Sequence, residues 1–181
     1  MEQLFLLDRQ LLELFNQQWT SSALDPFMRF ATLASDIGLI WYATALLLML
    51  VVRSRRALLA GIAMIAANGA AFLFQALINV LLPRPRPPLV EEGIRLIVEA
   101  PASSSFPSAH AATSAAACTA LILFYPKAAW IAVPFALLFA YTRLYAGVHY
   151  PSDTLAGLIF GIGIGIVAAK LVQRKGGTTS L

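Results

Sequence analysis

Charge is scarce in this chain. Of its 181 residues, 12% are Asp, Glu, Lys or Arg, about half the share of an ordinary soluble domain. That scarcity excludes a disordered segment, a fibrous protein and an ordinary cytosolic enzyme. Cysteine is nearly absent. Cys118 stands alone, so no intramolecular disulfide is possible. Its setting, Ser114-Ala-Ala-Ala-Cys118-Thr-Ala-Leu, predicts a small buried residue. No cleavable leader is expected, because Glu2, Asp8, Arg9 and Glu13 interrupt the first twenty residues. Histidine occurs twice, at His110 and His149, and no repeat or low-complexity tract is present. In place of charge there is hydrophobicity: 59% of residues are apolar and the mean hydropathy is +0.75. Such a chain needs lipid around it. Its length suits one domain, residues 1–181, with room for about five or six spans of roughly 20 residues.

The order of segments follows from the pattern. Leu4, Leu7, Leu11 and Leu14 recur at spacings of three and four, which predicts an amphipathic helix. Its charges make it an interfacial rather than a spanning element; a partner-binding helix fits the same pattern. A second short amphipathic stretch runs from Asp25 to Ala34, so residues 1–35 form an amphipathic N-terminal segment. Five apolar segments follow, at about 37–52, 57–82, 108–125, 127–141 and 153–172. The expected fold is all-α: a polytopic membrane helical bundle of five to six transmembrane helices.

Charge sets the orientation. Arg53, Arg55, Arg56, Lys127, Lys170, Arg174 and Lys175 fall on one side of the alternating spans, and all the acidic residues fall on the other. The basic side is therefore cytoplasmic. The polar stretches 83–107 and 142–152 face outward. Arg84, Arg86, Arg95 and Arg143 lie there against the topological bias, and arginines so placed suit an anion.

Three outer stretches carry chemistry. In Asn79-Val-Leu-Leu-Pro-Arg84-Pro-Arg86-Pro-Pro, alternating prolines hold the backbone extended and present two guanidiniums at the membrane edge. In Pro107-Ser108-Ala109-His110, Ser108 is placed to cap a helix whose free N–H groups form an anion site facing His110. In Thr142-Arg143-Leu-Tyr-Ala-Gly-Val-His149-Tyr-Pro-Ser-Asp153, Pro151 opens the next helix and Asp153 sits in its first turn. Four residues after His149, its carboxylate can reach that imidazole, fix its tautomer and leave the other ring nitrogen free to attack.

Together these stretches resemble the three signature motifs of the type 2 phosphatidic acid phosphatase superfamily: Lys-x6-Arg-Pro, Pro-Ser-Gly-His and Ser-Arg-x5-His-x3-Asp. The matching positions, within residues 79–153, are Arg86-Pro87, then Pro107, Ser108 and His110, then Arg143, His149 and Asp153. Asn79 stands where the family has lysine, Ala109 where it has glycine, and Thr142 where it has serine. The resemblance implies that His149 attacks phosphorus, Asp153 orients it, and His110 protonates the leaving oxygen. It implies that Arg86, Ser108, the Ala109 N–H and Arg143 bind the phosphate. Asn79 lies in the same cradle, and Arg84 is close enough in sequence to replace the missing lysine.

The expected reaction is hydrolysis of a lipid phosphate or pyrophosphate without metal or other cofactor. The short chain and loops resemble bacterial undecaprenyl pyrophosphate phosphatases, with phosphatidylglycerol phosphate, phosphatidic acid and lipid A as alternative substrates. The partners implied are that lipid and the surrounding membrane lipids, with no nucleic acid. The location implied is the bacterial inner membrane, with the site facing the periplasm or exterior. A transporter would account for the spans but not for the His149–Asp153 spacing. A non-catalytic lipid-binding relative is supported only by Asn79.

Overall fold

The computed structural model describes residues 2–177, and among these there is no β-strand. Helix α1 (Glu2–Glu13) runs into a π-helical turn at Leu14–Gln18. Then come α2 (Asp25–Ala34), a tight turn at Asp36–Gly38, α3 (Leu39–Val52) and α4 (Arg55–Leu81). A single-turn helix, α5 (Pro87–Val90), interrupts the outer loop before α6 (Ala109–Phe124), α7 (Ala129–Tyr145) and α8 (Pro151–Lys175).

Among the described residues, three stretches are long and apolar enough to cross a membrane: Arg55–Leu81, Pro126–Tyr145 and Pro151–Lys175. A fourth is the bent pair of α2 and α3, which meet at 47°. Length and composition thus give three or four candidate spans among the described residues and do not confirm the expected five to six. The difference lies in two places. Helix α6 has 16 residues, too few to span hydrocarbon unaided. Helix α2, expected as a surface element, continues into α3. The bend between them is built from left-handed backbone at Ile37 (φ +51°) and Gly38 (φ +72°). There Asn68 of α4 donates to the Gly38 carbonyl at 3.2 Å, and a Cβ on Gly38 would sit 2.2 Å from its side-chain oxygen.

Small residues make the bundle's centre. Ala111, Ala112, Ala116, Ala117 and Ala120 of α6 are buried, as is Cys118. Gly157, Gly161 and Gly165 of α8, spaced by four, lie along α6. Without a solvent-driven hydrophobic effect between helices in lipid, close approach of small residues is what binds them. Large apolar side chains such as Leu47, Leu73, Val80, Trp130 and Ile131 point outward instead. A Cβ at Gly161 would lie 2.3 Å from the Ala112 carbonyl oxygen. Gly161→Val should therefore push α8 off α6 and lower the melting temperature in detergent sharply. An unchanged melting temperature would contradict this packing.

Helix α1 is rotated relative to its leucine pattern. Leu7 is half exposed, whereas Asp8, Leu12 and Asn16 are buried. The inward face thus mixes an apolar residue, Leu12, with polar ones that find partners. Asn16 shows this: its Nδ2 donates to the carbonyls of Arg95 (2.8 Å) and Tyr145 (2.9 Å), and its Oδ1 accepts from the Arg95 N–H at 2.9 Å.

The basic loops converge at one end. Arg55 donates to the Gly176 carbonyl at 2.6 Å, and Arg56 lies over the Tyr125 ring at 4.8 Å. The two histidines lie near the opposite ends of the helices: His110 starts α6, and His149 precedes α8.

Candidate active site

A cavity of about 410 Å³ is lined by Asp36, Gln75, Asn79, Arg86, Ala109, His110, Arg143 and His149, among others. It collects side chains from the α2–α3 bend, α4, the outer loop, the start of α6, the end of α7 and the α7–α8 connection. Thr142 and Arg143 lie in the last turn of α7 rather than in the connection expected at 142–152, which shortens to Ala146–Tyr150.

Helix α8 starts where Pro151 and Asp153 predict. Tyr150 is its N-cap, and the Tyr150 N–H donates to Asp153 Oδ2 at 2.9 Å. Ser105 Oγ–H donates to the same oxygen at 2.5 Å. Arg84 donates to Oδ1 at 2.6 Å.

His149 is fixed by Ser105, which the sequence did not identify, together with Asp153 and Arg86, which it did. Its Nδ1 lies 2.7 Å from the Ser105 carbonyl and 3.7 Å from Asp153 Oδ2. Nδ1–H therefore donates to the carbonyl, and Asp153 acts on the ring across a longer gap and through Ser105. On the far side, Arg86 Nη1 lies 3.0 Å from Nε2. A guanidinium only donates, so Nε2 carries the lone pair. Both neighbours select the neutral ring with its proton on Nδ1. Burial pushes the imidazole pKa down to about 4, with Asp153 opposing and Arg86 and Arg143 adding to the fall. Between its ordinary 6.5 and about 4, the unfolded chain takes up a proton that the folded site refuses. This group's contribution to stability is thus full above pH 6.5 and is lost as pH falls toward 4. In ¹⁵N spectra of histidine-labelled protein, with His110→Gln used for assignment, His149 should remain neutral at pH 6. A midpoint near 6.5 would contradict the geometry.

Arg86 is buried, and all five of its N–H groups are engaged. Nε donates to the Ser103 carbonyl (2.9 Å). Nη1 donates to the Val148 carbonyl (2.9 Å) and to His149. Nη2 donates to Ser103 Oγ (3.1 Å) and the Ser104 carbonyl (3.2 Å). Burial brings its pKa down to about 10, with Asp153 opposing, so it stays charged at neutral pH. Only the donor shared with His149 faces a group that a phosphate could replace.

Arg143 differs. It is 3% exposed, its Nε has no hydrogen-bond partner, and no hydrogen bond or ion pair holds its guanidinium among the described residues. A buried, unpartnered cation is costly, and this one lines the cavity beside His149.

His110, across the cavity, lies 3.3 Å from the Thr32 carbonyl and 3.8 Å from Asp36 Oδ1 through its Nε2. Asp36 is a second carboxylate that the motifs did not single out. Ser108 is the N-cap of α6, but its hydroxyl makes no capping bond and is buried without a partner. Its backbone N–H donates instead to the Asp153 carbonyl (3.0 Å). Ala109 needs no left-handed backbone and opens α6 at the cavity wall. Asn79 lines the cavity and donates to the Phe106 carbonyl. Arg84 is turned away: besides Asp153 it binds Asp8 (2.8 Å) and Ser152 Oγ (2.7 Å). It supplies no replacement for the missing lysine in this arrangement.

Residues 56–176 match the PAP2 superfamily. The chain belongs to that superfamily. Its PAP2 relatives include undecaprenyl-diphosphatase BcrC of Bacillus subtilis, 32% identical over 151 residues, which are 81% of this chain and 74% of BcrC. An undecaprenyl-diphosphatase of Sulfolobus acidocaldarius is 28% identical over 133 residues, 73% of this chain. The match spans 63% of that relative's length. The fold is shared with the crystal structure of a transmembrane PAP2-type phosphatidylglycerolphosphate phosphatase from Bacillus subtilis. The TM-score is 0.71 at 20% identity, covering 96% of this chain and 88% of the other. With its membrane-length helices, this PAP2 protein is an integral membrane protein.

Proposed function

We propose that this PAP2 protein hydrolyses a lipid phosphate or diphosphate at the outer face of the bacterial inner membrane. The intermediate is a phosphohistidine, and undecaprenyl diphosphate is the leading substrate. One observation carries the reading: the unpartnered guanidinium of Arg143 shares a cavity with the unprotonated Nε2 of His149, which accepts from one donor of Arg86.

In the first step Nε2 attacks phosphorus as the bond to the leaving oxygen breaks, and protonated His110 gives that oxygen its proton. In the second, water attacks the phosphohistidine and passes a proton to His110. The N–P bond breaks, inorganic phosphate leaves and both rings are restored. Asp36, 3.8 Å from the His110 ring, is the carboxylate placed to support its protonated state in the first step, against the burial and the Arg143 charge that oppose it. Arg143, one donor of Arg86 and the α6 N-terminus with Ala109 stabilise charge on the phosphoryl oxygens. Ser108 and Asn79 complete the wall. These cations do the work a metal does elsewhere. The convergence of basic loops at the far end supports a site facing the periplasm. The identity to undecaprenyl-diphosphatases supports the lipid.

A monoester substrate, such as phosphatidylglycerol phosphate, phosphatidic acid or lipid A, is the second reading. It is favoured by the engagement of Arg84 and the neutrality of Asn79, which leave two guanidiniums at the cavity. Purified protein in detergent with EDTA, offered each lipid in turn, tests both readings. Phosphate release fastest from undecaprenyl diphosphate is the expected result. A preference for a monoester would select the second reading, and release only on adding a divalent metal would overturn the mechanism.

A further inference from the structure

Helix α1 lies outside the three motifs, yet one of its side chains enters the network behind the nucleophile. Asp8 is 4% exposed. Its Oδ1 accepts from the Ser152 N–H (2.9 Å), in the first turn of α8. Its Oδ2 accepts from Ser152 Oγ–H (2.5 Å) and Arg84 Nη2 (2.8 Å). The other terminal nitrogen of Arg84 reaches Asp153 Oδ1 at 2.6 Å. The guanidinium lies over the Tyr150 ring at 4.1 Å. One cation therefore serves two buried carboxylates, Asp8 and Asp153.

We infer that Asp8 is a positioning residue for the hydrolytic reaction, holding Arg84 so that Asp153 keeps negative charge behind His149. The reasoning is electrostatic. Were Arg84 paired with Asp153 alone, the pair would be neutral and would offer little to a ring turning positive as Nε2 bonds to phosphorus. Sharing Arg84 with Asp8 leaves the three groups with a net charge of −1. Ser105 transmits this to the ring, since its hydroxyl donates to Asp153 and its carbonyl accepts from Nδ1–H. The other charged or titratable groups around His149 are Arg86, Arg143 and His110.

The inference rests on the hydrolase reading, and its test separates the two. Asp8→Asn keeps the size and an acceptor oxygen for Ser152 but removes the charge. Its kcat should fall about tenfold with KM within about twofold, and Asp8→Glu should recover most of the loss. A purely structural tie would lower the melting temperature and leave kcat of the folded fraction alone. A second readout needs no substrate. The Nδ1 proton and nitrogen resonances of His149 should move in Asp8→Asn while those of His110 stay. Unchanged kcat and unchanged His149 resonances would overturn the inference. Wild-type protein that hydrolyses no lipid, while its His149 resonances respond to Asp8→Asn, would instead overturn the hydrolase reading and leave the coupling standing.

Discussion

Replacing Arg143 by methionine should abolish most activity while making the ligand-free protein more stable. The two effects have one cause. A guanidinium with no hydrogen-bonding partner, 3% exposed at the end of α7, bears a desolvation cost that a bound anion offsets. Methionine has similar bulk and no charge, so the apo bundle should melt at a higher temperature. In turnover, the same change removes a charge aimed at the phosphoryl oxygens. Loss of such a group costs about 10³-fold in rate. Thermal melts with and without inorganic phosphate provide the check. Phosphate should raise the wild-type midpoint and leave Arg143→Met unmoved. A variant less stable than wild type, with kcat within tenfold, would mean that Arg143 serves the fold.

The larger loss is expected for His149→Ala. Nε2 is the lone-pair donor that the surrounding groups leave unprotonated, whereas the other imidazole of the cavity wall, His110, has its Nε2 turned to the Thr32 carbonyl. Removing a nucleophile of this kind lowers kcat by at least about 10⁴-fold, leaving what binding and charge alone supply. His110→Ala should be less severe for substrates with good leaving groups, because an acid is needed most when the departing oxygen is basic. Phosphate release measured on undecaprenyl diphosphate and on a lipid monoester would show that split.

Sequence made the ends of the site legible where local chemistry dictates structure. Pro151 and Asp153 mark the start of α8 because a missing N–H and a carboxylate are both favoured in a first turn. The end of the second amphipathic stretch at Ala34 also survives, just before the bend between α2 and α3. What could not be read depends on distant partners. Ser105 sits in a run of three serines with no periodicity, and its contacts to His149 and Asp153 cross more than forty residues. Arg84 looks like a phosphate ligand beside Arg86, and only the folded chain brings Asp8 to it across 76 residues. The leucine stripe of α1 misleads for a physical reason. The inward face is set by partners distant in sequence: Asp8, Leu12 and Asn16 turn in, while Leu7, Arg9, Gln10 and Glu13 stay exposed. The pattern ends α7 short because Thr142 and Arg143 are polar, although both are buried within the bundle.

The measurement that bears most directly on the mechanism is rapid-quench labelling with a lipid whose transferable phosphate carries ³²P. The account predicts one acid-labile, base-stable phosphoryl group per chain, mapped to His149, formed with EDTA present and absent from His149→Ala. Turnover with no labelled protein, or label on any other residue, would contradict it.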